Sequence, residues 1–227
     1  MPIPLMPRLK AQLKLAINRL KLLQDKNTAL AKLSRREMAQ LMEKGKISSA
    51  RIRVENIINE DIYVELLEAL ELYCEVTLAR IAMIERTELD QRLSEAVTVI
   101  IYAAPHTDIK ELLGLRELFV SLLPKEFVID AIENTSGKVP EKIMKRIHTE
   151  APSAELVDLY LLEIAKAYMV RVSGFYEPPA SPEPEIIKQS TANEKPDSGS
   201  VDKAGGPAGA PPKADDLMAR FAALKRT

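Results

Sequence analysis

Apolar residues recur along the first part of the chain at Leu9, Leu13, Ala16, Leu20, Leu23 and Leu30, alternating steps of four and three, with Asn27 filling one slot. That spacing predicts a helix whose seam packs lengthwise on another helix. Gly45 falls where a helix would end, and Ser48 or Ser49 can cap the next one. A second arm is predicted from about Ala50 to about Arg86, with Val54, Ile57, Ile58, Ile62, Leu66, Leu70, Tyr73, Leu78 and Ile81 as its apolar positions. No proline interrupts either arm after Pro7, so each can run to roughly 55 Å at 1.5 Å per residue. A short connection makes such arms antiparallel neighbours.

Shorter helices come next. Residues 87–104 form one, with Thr87 as N-cap and Leu89, Leu93, Val97, Ile100 and Ile101 on its apolar face, stopping before Pro105. Asp108–Leu123 closes at Pro124, Pro124–Glu133 closes at the Asn134-Thr135-Ser136-Gly137 turn, and Pro140–His148 and Ser153–Val170 complete the set. The last is expected to pack back on the hairpin through Leu156, Leu159, Tyr160, Leu162, Ile164, Ala167 and Tyr168. No alternating run of β-branched residues supports a sheet. The expected fold is all-α: a long antiparallel hairpin with shorter helices packed against it.

Both ends break the pattern. Residues 1–7 hold three prolines and read as a lead-in to a core spanning 8–175. Residues 177–214 hold 8 of the 15 prolines, 4 of the 8 glycines and no aromatic residue, so the segment 176–214 reads as a linker with too little apolar surface to order itself. Helical patterning returns at 215–227, where Leu217, Phe221 and Leu224 stand at i, i+4 and i+7, with Asp215 and Asp216 before them and Lys225 and Arg226 after. A segment this short is marginal alone and folds when its apolar face enters a partner's groove.

Composition removes most alternatives. The chain is 46% hydrophobic but only 4% aromatic, and it has no run of about 20 uncharged apolar residues that could span a membrane. Its N-terminus lacks the pattern of a secretory signal, and Cys74, the single cysteine, lies within an apolar pattern, so the chain reads as cytosolic. No phosphate-cradling glycine motif, metal-ligand cluster or nucleophile set stands out, and His106 and His148 sit near helix ends. Neither a catalytic site nor a cofactor is expected. The reading is a binding and assembly protein, not an enzyme.

Charge changes that picture more than composition does. The net −1 conceals 13 Lys/Arg against 3 Asp/Glu in residues 1–53, and 12 against 22 in residues 54–175. On the first helix Lys10, Lys14, Lys21, Lys32 and Arg35 fall within roughly 60° of one another. Such a stripe suits anionic lipid headgroups or an acidic protein surface, including another copy's body, in a self- or co-polymer. Nucleic acid is disfavoured, because aromatic interleaving and recognition motifs are absent. Glu60, Asp61, Glu65, Glu68, Glu71 and Glu75 on the second arm read as a solvated face or as ion-pair partners of the basic arm.

Several stretches together resemble the increased-sodium-tolerance family of ESCRT-III-like proteins. These are Leu15-Ala16-Ile17-Asn18-Arg19-Leu20-Lys21-Leu22-Leu23, Ala50-Arg51-Ile52-Arg53-Val54-Glu55-Asn56-Ile57-Ile58 and Glu71-Leu72-Tyr73-Cys74-Glu75. They continue with Ala103-Ala104-Pro105, Lys125-Glu126-Phe127, Pro152-Ser153-Ala154-Glu155-Leu156-Val157 and Glu163-Ile164-Ala165-Lys166. The likeness is collinear over about residues 8–175. It implies a regulator of endosomal sorting and membrane remodelling, recruited peripherally to endosomal membranes. Such a regulator would bind the vacuolar-sorting AAA ATPase and late-acting ESCRT-III subunits. The tail is similar to a type 1 MIT-interacting motif, an acidic residue followed by L-x-x-R-L-x-x-L-K. Asp215, Leu217, Arg220, Phe221, Leu224 and Lys225 take those positions, with Phe221 replacing the usual Leu. The resemblance thus implies that the tail binds the MIT domain of that ATPase. Pro182-Glu183-Pro184-Glu185-Ile186-Ile187 lies where some members carry a second MIT-binding segment but lacks its flanking pattern. A membrane-shaping scaffold with an incidental tail is the alternative.

Overall fold

The computed structural model describes residues 4–84 and 89–172, together with Arg220 and Ala223. Two long helices dominate, α1 (Leu5–Glu43) and α2 (Ile47–Ala79), and they lie against each other as a hairpin. The first begins three residues earlier than the proline content suggests. Pro7 is its third residue, in the turn where backbone N–H groups have no intrahelical partner, so the ring costs no hydrogen bond. Leu5–Pro7 therefore belong to the helix and not to a lead-in.

The hairpin turns where Gly45 predicts. Gly45 has φ +70°, its N–H donates to the Met42 carbonyl at 2.9 Å, and the Lys46 N–H donates to the Leu41 carbonyl at 3.0 Å. This pair of bonds is the Schellman closure of a helix, and it needs a left-handed residue at that position. The expected serine caps are not used. Helix α2 starts at Ile47 after Lys46 with no side-chain cap, so Ser48 and Ser49 sit inside its first turn. At its other end α2 stops at Ala79, earlier than expected, and a single 3-10 turn occupies Ile81–Met83.

Five shorter helices complete the described body: α3 (Gln91–Ala103), α4 (Lys110–Leu122), α5 (Lys125–Glu133), α6 (Glu141–Ile147) and α7 (Ala154–Ala167). Thr87, the expected cap of α3, lies outside the described residues, and the helix comes after Asp90 instead. Prolines fix the rest of the punctuation. Pro105 opens a 3-10 turn after α3, and Pro124 and Pro140 precede α5 and α6. Helix α7 has a capping side chain, with Ser153 Oγ accepting the Leu156 N–H at 3.2 Å. Between α5 and α6, Asn134 adopts φ +52° and its side chain accepts the Val139 N–H at 3.0 Å. Asp130 accepts the Ser136 hydroxyl at 2.7 Å and the Ser136 N–H at 2.8 Å, and these bonds hold its carboxyl well below the usual range.

Two apolar clusters share the hairpin. Near its open end Leu9, Leu13, Leu20, Leu66, Leu67 and Leu70 pack with α3, α4 and α5 around Val97, Ile100, Leu115 and Phe119. Near the turn Met38, Met42, Val54, Ile57 and Ile58 pack with Val157, Tyr160, Leu161 and Ile164 of α7. Helix α7 therefore does pack back on the hairpin, at the end where the chain reverses, but Leu159 and Tyr168, expected in that contact, are exposed, and Val157, Leu161 and Ala165 are buried there instead. Cys74 is fully buried in the first cluster, and burial, reinforced by Glu71 and Glu75, pushes its thiol up to about 12. It is a core residue with no thiolate at neutral pH.

Candidate functional site

The chemistry of this molecule lies on helix surfaces and at one buried junction. On α1, Lys10, Lys14, Lys21 and Lys32 are exposed, as the helical spacing predicts. Arg35 is not. Its side chain is 1% exposed, and its Nη2 donates to both carboxylate oxygens of Asp61, at 2.7 and 2.8 Å. The placement of Arg35 on the basic face is therefore wrong, for a reason of phase. Ala31, Arg35, Met38 and Met42 are among the buried positions in the second half of α1, whereas Leu30, expected in the seam, is 47% exposed. The apolar spacing at the start of α1 extrapolates to Leu30, one residue off the true seam at Ala31.

Asp61 brings in a third helix: the Tyr160 hydroxyl of α7 lies 3.5 Å from Asp61 Oδ2. Burial first, then the Asp61 charge, pushes the Tyr160 phenol far above its ordinary range. The group Arg35–Asp61–Tyr160 thus ties α1, α2 and α7 through buried polar atoms. A charge pair taken out of water stabilises little by itself, but removing one partner strands the other.

Acidic residues of α2 meet Lys21 of α1, and further ion pairs join α2 to α6 and α7. Lys21 Nζ lies 3.2 Å from Glu71 and 3.3 Å from Glu75, and these carboxylates raise its pKa. Glu65 takes Arg146 of α6 at 2.9 Å, and Arg51 pairs with Asp158 of α7 at 2.6 Å. Lys21 is thus engaged within the hairpin, leaving Lys10, Lys14 and Lys32 as the exposed row.

Two features escape the pattern reading. Leu15, Leu22 and Leu33 are each more than half exposed and fall within about 20° of one another on α1. Exposed Arg8, Arg19 and Lys26 lie just to one side of that ridge, whereas the lysine row lies roughly 80–140° round the helix in the other direction. The signal is present as a second heptad-like spacing, but the stronger seam spacing masks it. The histidines also meet: the His106 and His148 rings stand 5.3 Å apart, and the Tyr102 hydroxyl lies 3.1 Å from His148 Nε2. Burial, then His148, lowers the His106 pKa. Among the described residues no three His, Cys, Asp or Glu side chains form a group that could hold a metal ion.

The tail is described at two positions. Arg220 and Ala223 are helical, and Arg220 Nη1 lies 3.6 Å from Glu163 Oε2 on α7. Asp215, Leu217, Phe221, Leu224 and Lys225 lie outside the described residues, as do the segments 176–214 and 182–187.

A family model described as "Ist1: Regulator of Vps4 activity in the MVB pathway" matches residues 10–171. The chain belongs to the Ist1 family. Among its Ist1 relatives, the Vacuolar protein sorting-associated protein IST1 of Saccharomyces cerevisiae is 44% identical over 181 residues, covering 75% of this chain and 60% of the relative. An IST1-like protein of Dictyostelium discoideum is 31% identical over 173 residues, 76% of this chain and 47% of the relative. Vacuolar protein sorting-associated protein ist1 of Schizosaccharomyces pombe is 32% identical over 169 residues, 72% and 60% respectively. The chain thus spans about half to three-fifths of the length of these relatives. A crystal structure of the S. cerevisiae Ist1 N-terminal domain in complex with the Did2 MIM motif superposes with a TM-score of 0.71 at 42% identity, covering 79% of this chain and all of that one. The Ist1 helical core is therefore the fold of this chain, as the resemblance read from the sequence implies.

Proposed function

We propose that this chain is a non-enzymatic regulator of a Vps4-type AAA ATPase in multivesicular-body sorting, acting as a two-ended adaptor at endosomal membranes. The observation that carries the proposal is the Ist1 match over residues 10–171, together with a solved Ist1 core that holds another protein's MIM motif. On this reading the helical core receives an amphipathic helix from a late-acting ESCRT-III subunit. The tail, through Leu217, Arg220, Phe221, Leu224 and Lys225, docks on the MIT domain of the ATPase. A single short helix binds weakly, and many copies displayed together recruit an oligomeric ATPase through avidity.

Fluorescence anisotropy of a labelled 213–227 peptide titrated with the isolated MIT domain tests the tail. Saturable micromolar binding, abolished by Leu224→Asp, is the expected outcome. A flat titration up to about millimolar concentration, a regime worth only about 4 kcal/mol of binding energy, would discard the tail assignment.

A second contact is favoured by the exposed face of α1. A leucine ridge bordered on one side by Arg8, Arg19 and Lys26 suits the interface of an anionic bilayer, where apolar side chains enter the acyl boundary and cations meet headgroups. The same face is available to copies of this chain or to other subunits in a polymer.

A further inference from the structure

Histidine occurs twice in the chain, at 106 and 148, and the fold brings both to one place. His106 ends the 3-10 turn Ala104–His106 that follows α3, and His148 stands at the C-terminus of α6. Far apart in sequence, their rings lie 5.3 Å centre to centre and are inclined at 74°. Tyr102, near the end of α3, adjoins both. Its ring centre is 5.4 Å from that of His106, and its hydroxyl is 3.1 Å from His148 Nε2. Both imidazoles are exposed, and Tyr102 is half-buried.

We propose that His106 and His148 form a two-histidine site for a divalent transition metal of the zinc class, with Tyr102 as its positioning residue. The spacing of the rings is that of two imidazoles on one ion. A Zn–N bond of about 2.0–2.1 Å puts each ring centre roughly 3.2 Å from the metal, and a tetrahedral angle then separates the two centres by about 5 Å. The histidine χ2 torsion is soft, so exposed rings can turn a nitrogen toward a shared ion. Burial, then His148, lowers the His106 pKa, so that ring is neutral at pH 7 with its lone pair free to bind. When His148 Nε2–H donates to the Tyr102 oxygen, Nδ1 carries the lone pair, and the hydroxyl thereby fixes the ligating tautomer.

Two protein nitrogens leave the remaining coordination positions to water, which the exposure of both rings admits. The site is therefore open and exchangeable, unlike a structural site closed by four side chains. Imidazole selects Zn²⁺ or Cu²⁺ over the hard cation Mg²⁺, which takes oxygen ligands. Bound metal would act as a clip. Helix α6 is short, with Ile143 as its buried residue, and the Arg146–Glu65 pair at 2.9 Å ties it to α2. A metal on His148 and His106 adds a second tie, from the end of α6 to the turn after α3.

The test follows thermal unfolding of the untagged full chain with ZnCl₂, with MgCl₂ as the control. Zn²⁺ at about a hundredfold excess over its dissociation constant is expected to raise Tm by roughly 5–10 °C, and Mg²⁺ is expected to leave it unchanged. His106→Gln and His148→Gln should each abolish the shift, with circular dichroism showing that both variants keep the native helix content. Tyr102→Phe keeps both ligands and should weaken Zn²⁺ binding by about tenfold. Cu²⁺ serves as the spectroscopic probe: electron paramagnetic resonance is expected to show two nitrogen ligands in the unaltered chain and fewer in each histidine variant. Hydrogen exchange should slow in residues 141–148 when Zn²⁺ is added. No Zn²⁺ shift in the unaltered chain would make the pair a ring contact and nothing more. A full shift in either histidine variant would place the metal elsewhere. Either result overturns the proposal, and unchanged affinity in Tyr102→Phe overturns the role given to Tyr102.

Discussion

Arg35 and Asp61 show how one pair of residues can look like surface chemistry and act as core. Both occur within charged stretches, and both are almost fully buried, joined by two short hydrogen bonds and adjoined by Tyr160. Asp61→Ala strands the guanidinium, and urea unfolding is expected to show a loss of about 3–5 kcal/mol. Arg35→Met combined with Asp61→Leu removes both charges and restores apolar volume, so most of that loss should be recovered. An unchanged urea midpoint in Asp61→Ala would show that the pair does not hold the three helices together. The position of Arg35 is legible only in part. Its spacing of four from Ala31 and three from Met38 fits the seam, but an arginine in that slot is normally solvated, and only a facing aspartate on α2 makes its burial tolerable.

Among the helices, the chain's punctuation sets most of the architecture. Prolines at 105, 124 and 140 and the glycine at 45 stand where helices stop, start or turn. Gly45 gives the sharpest expectation. Nothing lies within 4 Å of a Cβ built there, so Gly45→Ala meets no clash, and only its left-handed φ of +70° opposes it. Thermal unfolding is expected to register a loss of about 1 kcal/mol, with Gly45→Asn milder because asparagine tolerates that conformation. A stability equal to the native chain in Gly45→Ala would mean that the turn rearranges. Pro7 looks like a helix breaker by composition, yet proline is harmful only inside a helix and harmless in its first turn. Composition does not separate the two. The slip from Leu30 to Ala31 has a related origin. A 3.6-residue helix drifts against any strict 3.5-residue spacing, and over several turns the drift is enough to move the seam by a residue.

For the molecule as a whole, charge is the property that joins core, tail and environment. The basic arm faces an acidic body within the same chain, and the ion pairs Lys21–Glu71, Lys21–Glu75 and Arg51–Asp158 neutralise part of that charge internally. The exposed surface of α1 includes the lysine row Lys10, Lys14 and Lys32 and the ridge Leu15, Leu22 and Leu33. Sedimentation with vesicles containing phosphatidylserine is expected to carry the full chain down, and neutral phosphatidylcholine vesicles are not. Reversing Lys10, Lys14 and Lys32 to glutamate should weaken binding by at least about a hundredfold, since each cation near an anionic surface is worth about 1 kcal/mol. If the triple variant sediments like the unaltered chain, α1 does not face the bilayer.

Local spacing, glycine and proline suffice for the all-α class, the hairpin, the site of its turn and the packing of the last core helix. Collinear stretches, which no packing can alter, suffice for the family. Which charges face inward is settled only in three dimensions, because burial of Arg35 depends on Asp61 and Tyr160 arriving from two other helices. Packing also brings His106 to His148 and Arg220 to Glu163 across long separations in the chain. Periodicity reports which face of a helix is apolar, and only packing decides what that face meets.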